Sequence, residues 1–153
     1  MTTGLFRAFA LLGCLLLAGC SDADWGADQH GKVVAARQLE GQWLLINYWA
    51  EWCGPCRTEV PELNLLDRSK SDVTVLGVNF DGLTGDELAA AAEGLHINFR
   101  VLSVDPSERL DLPRSTVLPV TYIVSPDGEV KARLVGEQTA EGLQEQLARL
   151  AVE

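Results

Sequence analysis

The chain has 153 residues, 47% of them hydrophobic, with 22 acidic side chains against 12 basic ones. That length suits one compact domain of about 100–150 residues, and a charged fraction of 22% with mean hydropathy of +0.08 excludes disorder and coiled coil. A formal charge of −10 excludes nucleic acid as a partner, because phosphate binding needs clustered Lys and Arg.

Residues 1–20 read MTTGLFRAFALLGCLLLAGC. Arg7 and the amino terminus supply positive charge, and residues 8–18 form an apolar run interrupted only by Gly13. The run is about half of the roughly 20 residues that a membrane-spanning helix needs. A basic start before a short apolar core is the pattern of a secretory signal peptide; a buried N-terminal helix is the alternative. Leu17-Ala18-Gly19-Cys20 resembles the bacterial lipobox. The resemblance implies cleavage before Cys20, lipidation of that cysteine and a formal charge of −11, since Arg7 leaves with no acid. Two or three acyl chains, also implied by the resemblance, make anchoring stable where a single chain is marginal. Residues 21–31 (SDADWGADQHG) are small, polar and acidic and read as a flexible tether, with Trp25 unexplained. The expected division is a leader over 1–19, a tether over 20–31 with lipidated Cys20, and a domain over 32–153.

Residues 33–39 read as a short first strand. Residues 43–50 (WLLINYWA) are nearly all apolar, which fits a strand buried on both faces. The break at residues 51–55 leads into a helical rhythm that runs to about Ser69. Residues 73–80 (VTVLGVNF) form a second buried strand. Thr84 then caps an alanine-rich helix that ends near Gly94. Residues 98–104 read as a short strand. Residues 120–124 and 129–135 form a hairpin about the turn Ser125-Pro126-Asp127-Gly128. The closing helix spans residues 139–152, with Leu143, Leu147 and Leu150 on one face. The expected fold class is α/β: one domain with a central mixed sheet flanked by helices.

Of the four cysteines, Cys14 lies in the leader and Cys20 at the lipobox, which leaves Cys53 and Cys56. In an oxidising compartment such a pair tends to form a disulfide. A bridge closing two residues adds little stability, so a purely structural staple explains little. A zinc site usually takes four ligands, and only one CxxC is available. His30 and His96 read as surface residues, and no metal is expected.

Trp52-Cys53-Gly54-Pro55-Cys56 joins a buried strand to a helix. A cysteine at a helix N-terminus meets unpaired amide donors and the positive end of the macrodipole, both of which favour thiolate. Cys53 is therefore expected to be the exposed nucleophile and Cys56, one turn along, the more buried resolving thiol. Pro55 is tolerated in a first turn because its missing N–H has no helical partner there.

With NYWAEWCGPC in place and Pro61 five residues beyond, the chain resembles the thioredoxin superfamily, and WCGPCRTEVPEL resembles its TlpA/ResA branch of exported, membrane-tethered members. The resemblance implies a thioredoxin-like fold with a TlpA-type insert over residues 81–105. Pro61 matches the helix-kinking proline. Pro119 in Leu118-Pro119-Val120-Thr121 falls at the cis-proline loop; an ordinary trans proline opening a strand is the alternative. By the same resemblance, Leu118 offers backbone hydrogen bonds to an extended peptide substrate beside Trp52, Gly54 and Pro55. Glu59 maps onto an acidic residue beyond the second cysteine, where it tunes Cys56 and relays its proton; a helix-surface carboxylate is the alternative. Trp49 and Trp52 are expected to pack around the site, or to be simple core.

Two departures stand out. Asn47 replaces the buried Asp of cytosolic thioredoxins, and Asn takes no proton at neutral pH. Val117-Leu118-Pro119-Val120 lacks the Gly-Val-Pro-Glu run of cytochrome-maturation members, which argues against a dedicated apocytochrome c substrate.

The expected activity is a thiol–disulfide oxidoreductase that reduces protein disulfides through Cys53 and Cys56, with no cofactor beyond that redox-active pair. Its Gly-Pro dipeptide resembles that of reducing thioredoxins near about −270 mV. The expected place is the bacterial cell envelope, facing the periplasm, with electrons from a membrane donor of the DsbD/CcdA type. The alternatives are a thiolate pair handling Cu(I) and a non-catalytic binding module.

Overall fold

The computed structural model describes residues 24–69 and 72–152. Cys14, Cys20 and the leader lie outside the described residues.

Strand β1 (Trp43–Trp49) is the centre of a five-stranded sheet in the order β3-β2-β1-β4-β5, with β2 Val73–Asn79, β3 Arg100–Leu102, β4 Val120–Val124 and β5 Val130–Val135. β1 and β2 run parallel, as do β2 and β3; β4 lies antiparallel to β1 and β5 antiparallel to β4. β1, β2 and β4 read as apolar runs because both sheet faces are covered. One face carries Leu45, Trp49, Val75, Val101 and Ile123 against α1 (Gly54–Ser69), α2 (Gly85–Gly94) and α4 (Ala140–Leu150). The other carries Leu44, Ile46, Leu76, Val78 and Tyr122, covered by Val34, Leu39, Trp25 and the short helix α3 (Ser107–Leu110). Gly77 is needed where the sheet meets Trp49: a Cβ there would sit 3.0 Å from the indole Nε1 and 3.1 Å from Phe99.

Several local expectations are corrected. Residues 33–39 form no strand. Val33 makes one isolated bridge to Ala27, and Ala36–Gln38 is a 3₁₀ turn closed by Gln38 N–H to Ala35 O and Leu39 N–H to Ala36 O, both at 2.9 Å. The Gln38 side-chain oxygen also accepts from the Ala35 N–H at 3.2 Å, so local bonds replace a ladder. Thr84 stands at the N-cap of α2, but its side chain makes no capping bond. Thr139 does cap α4, accepting from Gly142 N–H. The strand expected over residues 98–104 shortens to β3. α3 has no counterpart among the expected elements, because its four residues carry no periodicity.

The largest correction concerns residues 24–31, which are an ordered strap rather than a flexible tether. Trp25 N–H donates to Val34 O and Val34 N–H to Gly26 O, both at 2.8 Å, forming a small hairpin. Its turn is held by Asp28, whose Oδ1 accepts from His30 and Lys32 N–H at 2.9 Å, and by Gly31 at φ 76°. The hairpin caps the open edge of β3. Asp28 bridges Leu102, and the buried Gln29 side chain donates to Phe99 O at 3.2 Å and accepts from Val101 N–H at 2.8 Å. Trp25 packs on the second core with the Arg109 guanidinium 5.0 Å from its ring centroid. Backbone groups left open on an edge strand demand such cover, and the folded domain therefore includes Asp24 onward.

Gln29→Ala strips the partners from Phe99 O and Val101 N–H. The expected result is a loss of about 1–3 kcal/mol, read as a lower urea midpoint with an unchanged denaturant slope.

Candidate active site

β1 delivers the chain to the site, and a turn closed by Cys53 N–H to Ala50 O at 3.1 Å precedes α1. Cys53 sits immediately before the first residue of that helix and is joined to Cys56 by a disulfide of 2.08 Å. The Cys56 N–H donates to Cys53 Sγ at 3.2 Å. An amide of a helix's first turn aimed at a sulfur stabilises negative charge on it, so Cys53 is the sulfur on which thiolate is favoured once the bridge opens. The expected exposure of Cys53 is corrected for this oxidised form. Cys53 retains 4% of its surface and Cys56 1%, because the bridged pair packs into the main core. Gly54 and Pro55 are exposed beside it.

The two tryptophans divide. Trp49 is fully buried, whereas Trp52 keeps 66% of its surface. Trp52 is held by its Nε1–H, which donates to Asp81 Oδ2 at 2.9 Å, and by an edge contact with Phe80 at 6.2 Å between centroids. Asp81 is set in turn by its N–H bond to Asn79 Oδ1 at 3.0 Å. In the sequence Phe80 reads as the end of a strand and Asp81 as the start of the insert, neither with a role at the site.

The Leu118–Pro119 peptide bond is cis. Pro119 is buried, and its carbonyl accepts from Gly136 N–H at 2.9 Å. Leu118 is half-buried and packs on the cluster that contains both cysteines. Pro61 lies inside α1, five residues beyond Cys56.

Glu59 is no helix-surface carboxylate. Lying one turn beyond Cys56 on the inner face of α1, it keeps only 2% of its surface. Its Oε2 accepts from Asn47 Nδ2 at 2.9 Å and its Oε1 from Gln138 N–H at 3.2 Å. Asn47 Nδ2 also donates to Thr121 Oγ1 at 3.0 Å. Burial pushes the Glu59 carboxyl up to about 7, against the opposing hydrogen bonds from Asn47 and Gln138, and the nearby Glu137 charge adds to the rise. The residue that cannot take a proton, Asn47, thus holds one that can. Thr121 and Gln138 are the members of this network that the sequence reading missed; the only signal was a polar residue in the apolar run of β4.

Known proteins resemble this chain in sequence and fold. The model of the AhpC/TSA family matches residues 20–133. The thiol-disulfide oxidoreductase ResA of Bacillus cereus is 28% identical over 127 residues, covering 80% of this chain and 72% of the relative. The thiol:disulfide interchange protein HelX of Rhodobacter capsulatus is 30% identical over 101 residues, covering 65% and 56%. A solved thioredoxin-family thiol:disulfide interchange protein from Chlorobium tepidum superposes with a TM-score of 0.68 at 19% identity, over 86% of this chain and 93% of that one. The fold is thioredoxin-like.

A carboxyl whose pKa is higher folded than unfolded binds more protons in the folded state. Its stabilising contribution is therefore complete below about 4.5 and is lost as the pH rises through about 7. Over that window the loss is roughly 3 kcal/mol at 1.36 kcal/mol per unit. Urea melts of the oxidised protein are expected to show this decline, and Glu59→Gln is expected to remove it; an equal decline in the variant contradicts the assignment.

Proposed function

The chain belongs to the AhpC/TSA family, and from that premise we propose that it is an extracytoplasmic thiol–disulfide oxidoreductase that reduces protein disulfides. The observation that carries this reading is the Cys53–Cys56 bridge, with an amide N–H aimed at Cys53 Sγ and a buried carboxyl one turn further along α1.

In the reduced enzyme, the Cys53 thiolate attacks one sulfur of a substrate disulfide. A new S–S bond forms, the substrate bond breaks, and the first substrate sulfur leaves as thiolate. Cys56 then loses its proton and attacks Cys53 Sγ, which breaks the mixed bond and releases the second substrate sulfur. The substrate gains two electrons and the enzyme ends as the bridge seen here. Glu59, held near neutrality, is the proposed acceptor of the Cys56 proton, and Asn47, Thr121 and Gln138 orient it. The cis Leu118–Pro119 loop is the proposed resting place for an extended substrate segment, together with Trp52, Gly54 and Pro55. A membrane donor of the DsbD/CcdA type would restore the dithiol.

The reductant assignment rests on the Gly-Pro dipeptide between the cysteines. Placement in the cell envelope rests on the leader over residues 1–19 and on the lipobox, which makes Cys20 the proposed acylated N-terminus.

With dithiothreitol as electron source, the protein is expected to reduce insulin. Cys53→Ser is expected to abolish turnover and Cys56→Ser to accumulate mixed disulfides. Glu59→Gln is expected to slow resolution at neutral pH by about a hundredfold or more, the ordinary contribution of a positioned proton acceptor. A reduction potential near about −270 mV supports a reductant, and one near about −120 mV overturns it.

A further inference from the structure

A cleft of about 430 Å³ opens at the disulfide end of the sheet, on the face opposite α1. Its inner surface is the edge-to-face pair Tyr48 and Tyr122, with ring centroids 5.9 Å apart, and Phe80, Leu112 and Pro113 complete an apolar lining. The walls are held in place. Tyr48 Oη–H donates to Asp105 Oδ1 at 2.6 Å, and Tyr122 Oη–H donates to Pro113 O. Asp105 Oδ1 also accepts from Ser107 N–H at 2.8 Å, and Arg133 Nη2 donates to Ser115 Oγ at 2.9 Å. Arg114 differs from these rim groups: it is exposed, lines the cleft, and makes no hydrogen bond or ion pair among the described residues. The cleft adjoins the exchange site along its whole upper side. Phe80 stands between it and Trp52, Tyr48 lies opposite Val120 beside the cis Pro119, and residues 113–116 run into that loop.

We propose that this cleft is a specificity subsite that receives a large aromatic side chain of the substrate polypeptide and caps its ring with the Arg114 guanidinium. The subsite presupposes the disulfide-reductase reading and deepens it by naming the segments that are reduced. An extended segment on Leu118 alternates its side chains and covers about 7–10 Å in two or three residues. A side chain that far from the exchanging sulfur is the one offered to the cleft. The volume lies within the range of about 300–1,000 Å³ that preformed ligand sites occupy. Three aromatic rings in the lining favour an aromatic guest, because edge-to-face contacts add to the burial of apolar area. Arg114 points to the same guest: a guanidinium without an anionic partner is attracted to the face of a ring. Phe80 and Val117, 45% and 52% exposed beside the disulfide, extend this apolar surface toward the exchange site.

The test uses the full chain, reduced with dithiothreitol and desalted, against synthetic Gly-Ser peptides that each carry one cysteine as a mixed disulfide with mercaptoethanol. A single Phe, Leu or Ala is placed at each position on either side of that cysteine. One turnover breaks the mixed disulfide, oxidises Cys53 and Cys56 to their bridge, and releases peptide thiol and mercaptoethanol. Chromatography of the acid-quenched mixture reads the second-order rate constant, with the rate of Cys53→Ser subtracted. Phe two or three residues from the cysteine is expected to raise that constant about tenfold over Ala, the effect of burying one large apolar side chain. It is expected to exceed Leu by about threefold through its ring contacts. Arg114→Ala is expected to remove the advantage of Phe over Leu. Thr116→Trp, which fills the cleft from its exposed rim, is expected to remove the advantage of both over Ala. Ratios between peptides within one variant cancel any loss of active protein. Equal constants for Phe, Leu and Ala at every position overturn the subsite and leave the reductase standing. A preference for Phe over Ala that survives Thr116→Trp overturns the cleft as its seat. A Phe-over-Leu advantage that survives Arg114→Ala overturns the guanidinium cap. Reduction of none of the peptides overturns the reductase reading itself, and the subsite falls with it.

Discussion

β1 is hydrogen-bonded on one side to a parallel strand and on the other to an antiparallel one, and the site follows from that double pairing. Parallel pairing with β2 sends both chains to the same end of the sheet, where β1 hands over to α1 and where Phe80 and Asp81 meet Trp52. Antiparallel pairing with β4 starts that strand beside the point where β1 finishes, so Pro119 arrives from 70 residues away next to the end that carries the disulfide. The same register sets Asn47 opposite Thr121. A slip of β1 by one residue would turn Asn47 to the other face, and Glu59 would lose the amide that holds it.

Glu59 is the energetic counterpart of that register. Burying a carboxylate without a partner is costly, and a protein relieves the cost by raising the pKa or by supplying donors. Here both occur: Asn47 and the Gln138 amide donate to the two oxygens, yet burial still outweighs them. The outcome is a group that changes charge near neutral pH inside the core, next to a sulfur pair. Such a group is unfavourable as a structural element at neutral pH and useful as a proton acceptor, which is how perturbed carboxyls cluster at functional sites. The sulfur chemistry complements it. The Cys56 amide favours negative charge on Cys53, while the carboxyl lies one turn past Cys56. One helix therefore distinguishes two chemically identical side chains by its first amides at one and by a buried acid near the other.

The covering of the second sheet face shows a different economy. α1, α2 and α4 pack on one side, and the other side is closed by Trp25, Val34, Leu39 and the four-residue α3. The N-terminal segment thereby serves the core and the edge of β3 at once, because the hairpin that places Trp25 also brings the Gln29 amide to Phe99 and Val101.

Much of this was legible in the order of residues. Long apolar runs bounded by Gly, Pro and acidic breaks located β1, β2 and β4, and the spacing of Leu143 and Leu147 located α4, because burial imposes a period that composition records. Cys53-Gly54-Pro55-Cys56 at a strand–helix junction declared its chemistry, since helix-terminal electrostatics is local. Contacts between distant segments were not legible. Residues 24–31 look like solvent-loving linker, yet their polar groups are satisfied by the edge of a strand some 70 residues on. The role of Glu59 reads from the resemblance, but its burial depends on Asn47 and Gln138 closing over it, and the low exposure of Cys53 reflects packing that no spacing encodes. The sequence by itself determined the elements and the reactive pair, because propensity, periodicity and helix-end fields act over a few residues. Tertiary structure alone decided the ionisation of Glu59, the partner of Asn47 and the path of the N-terminal strap, because desolvation and hydrogen-bond satisfaction depend on what the rest of the chain brings alongside.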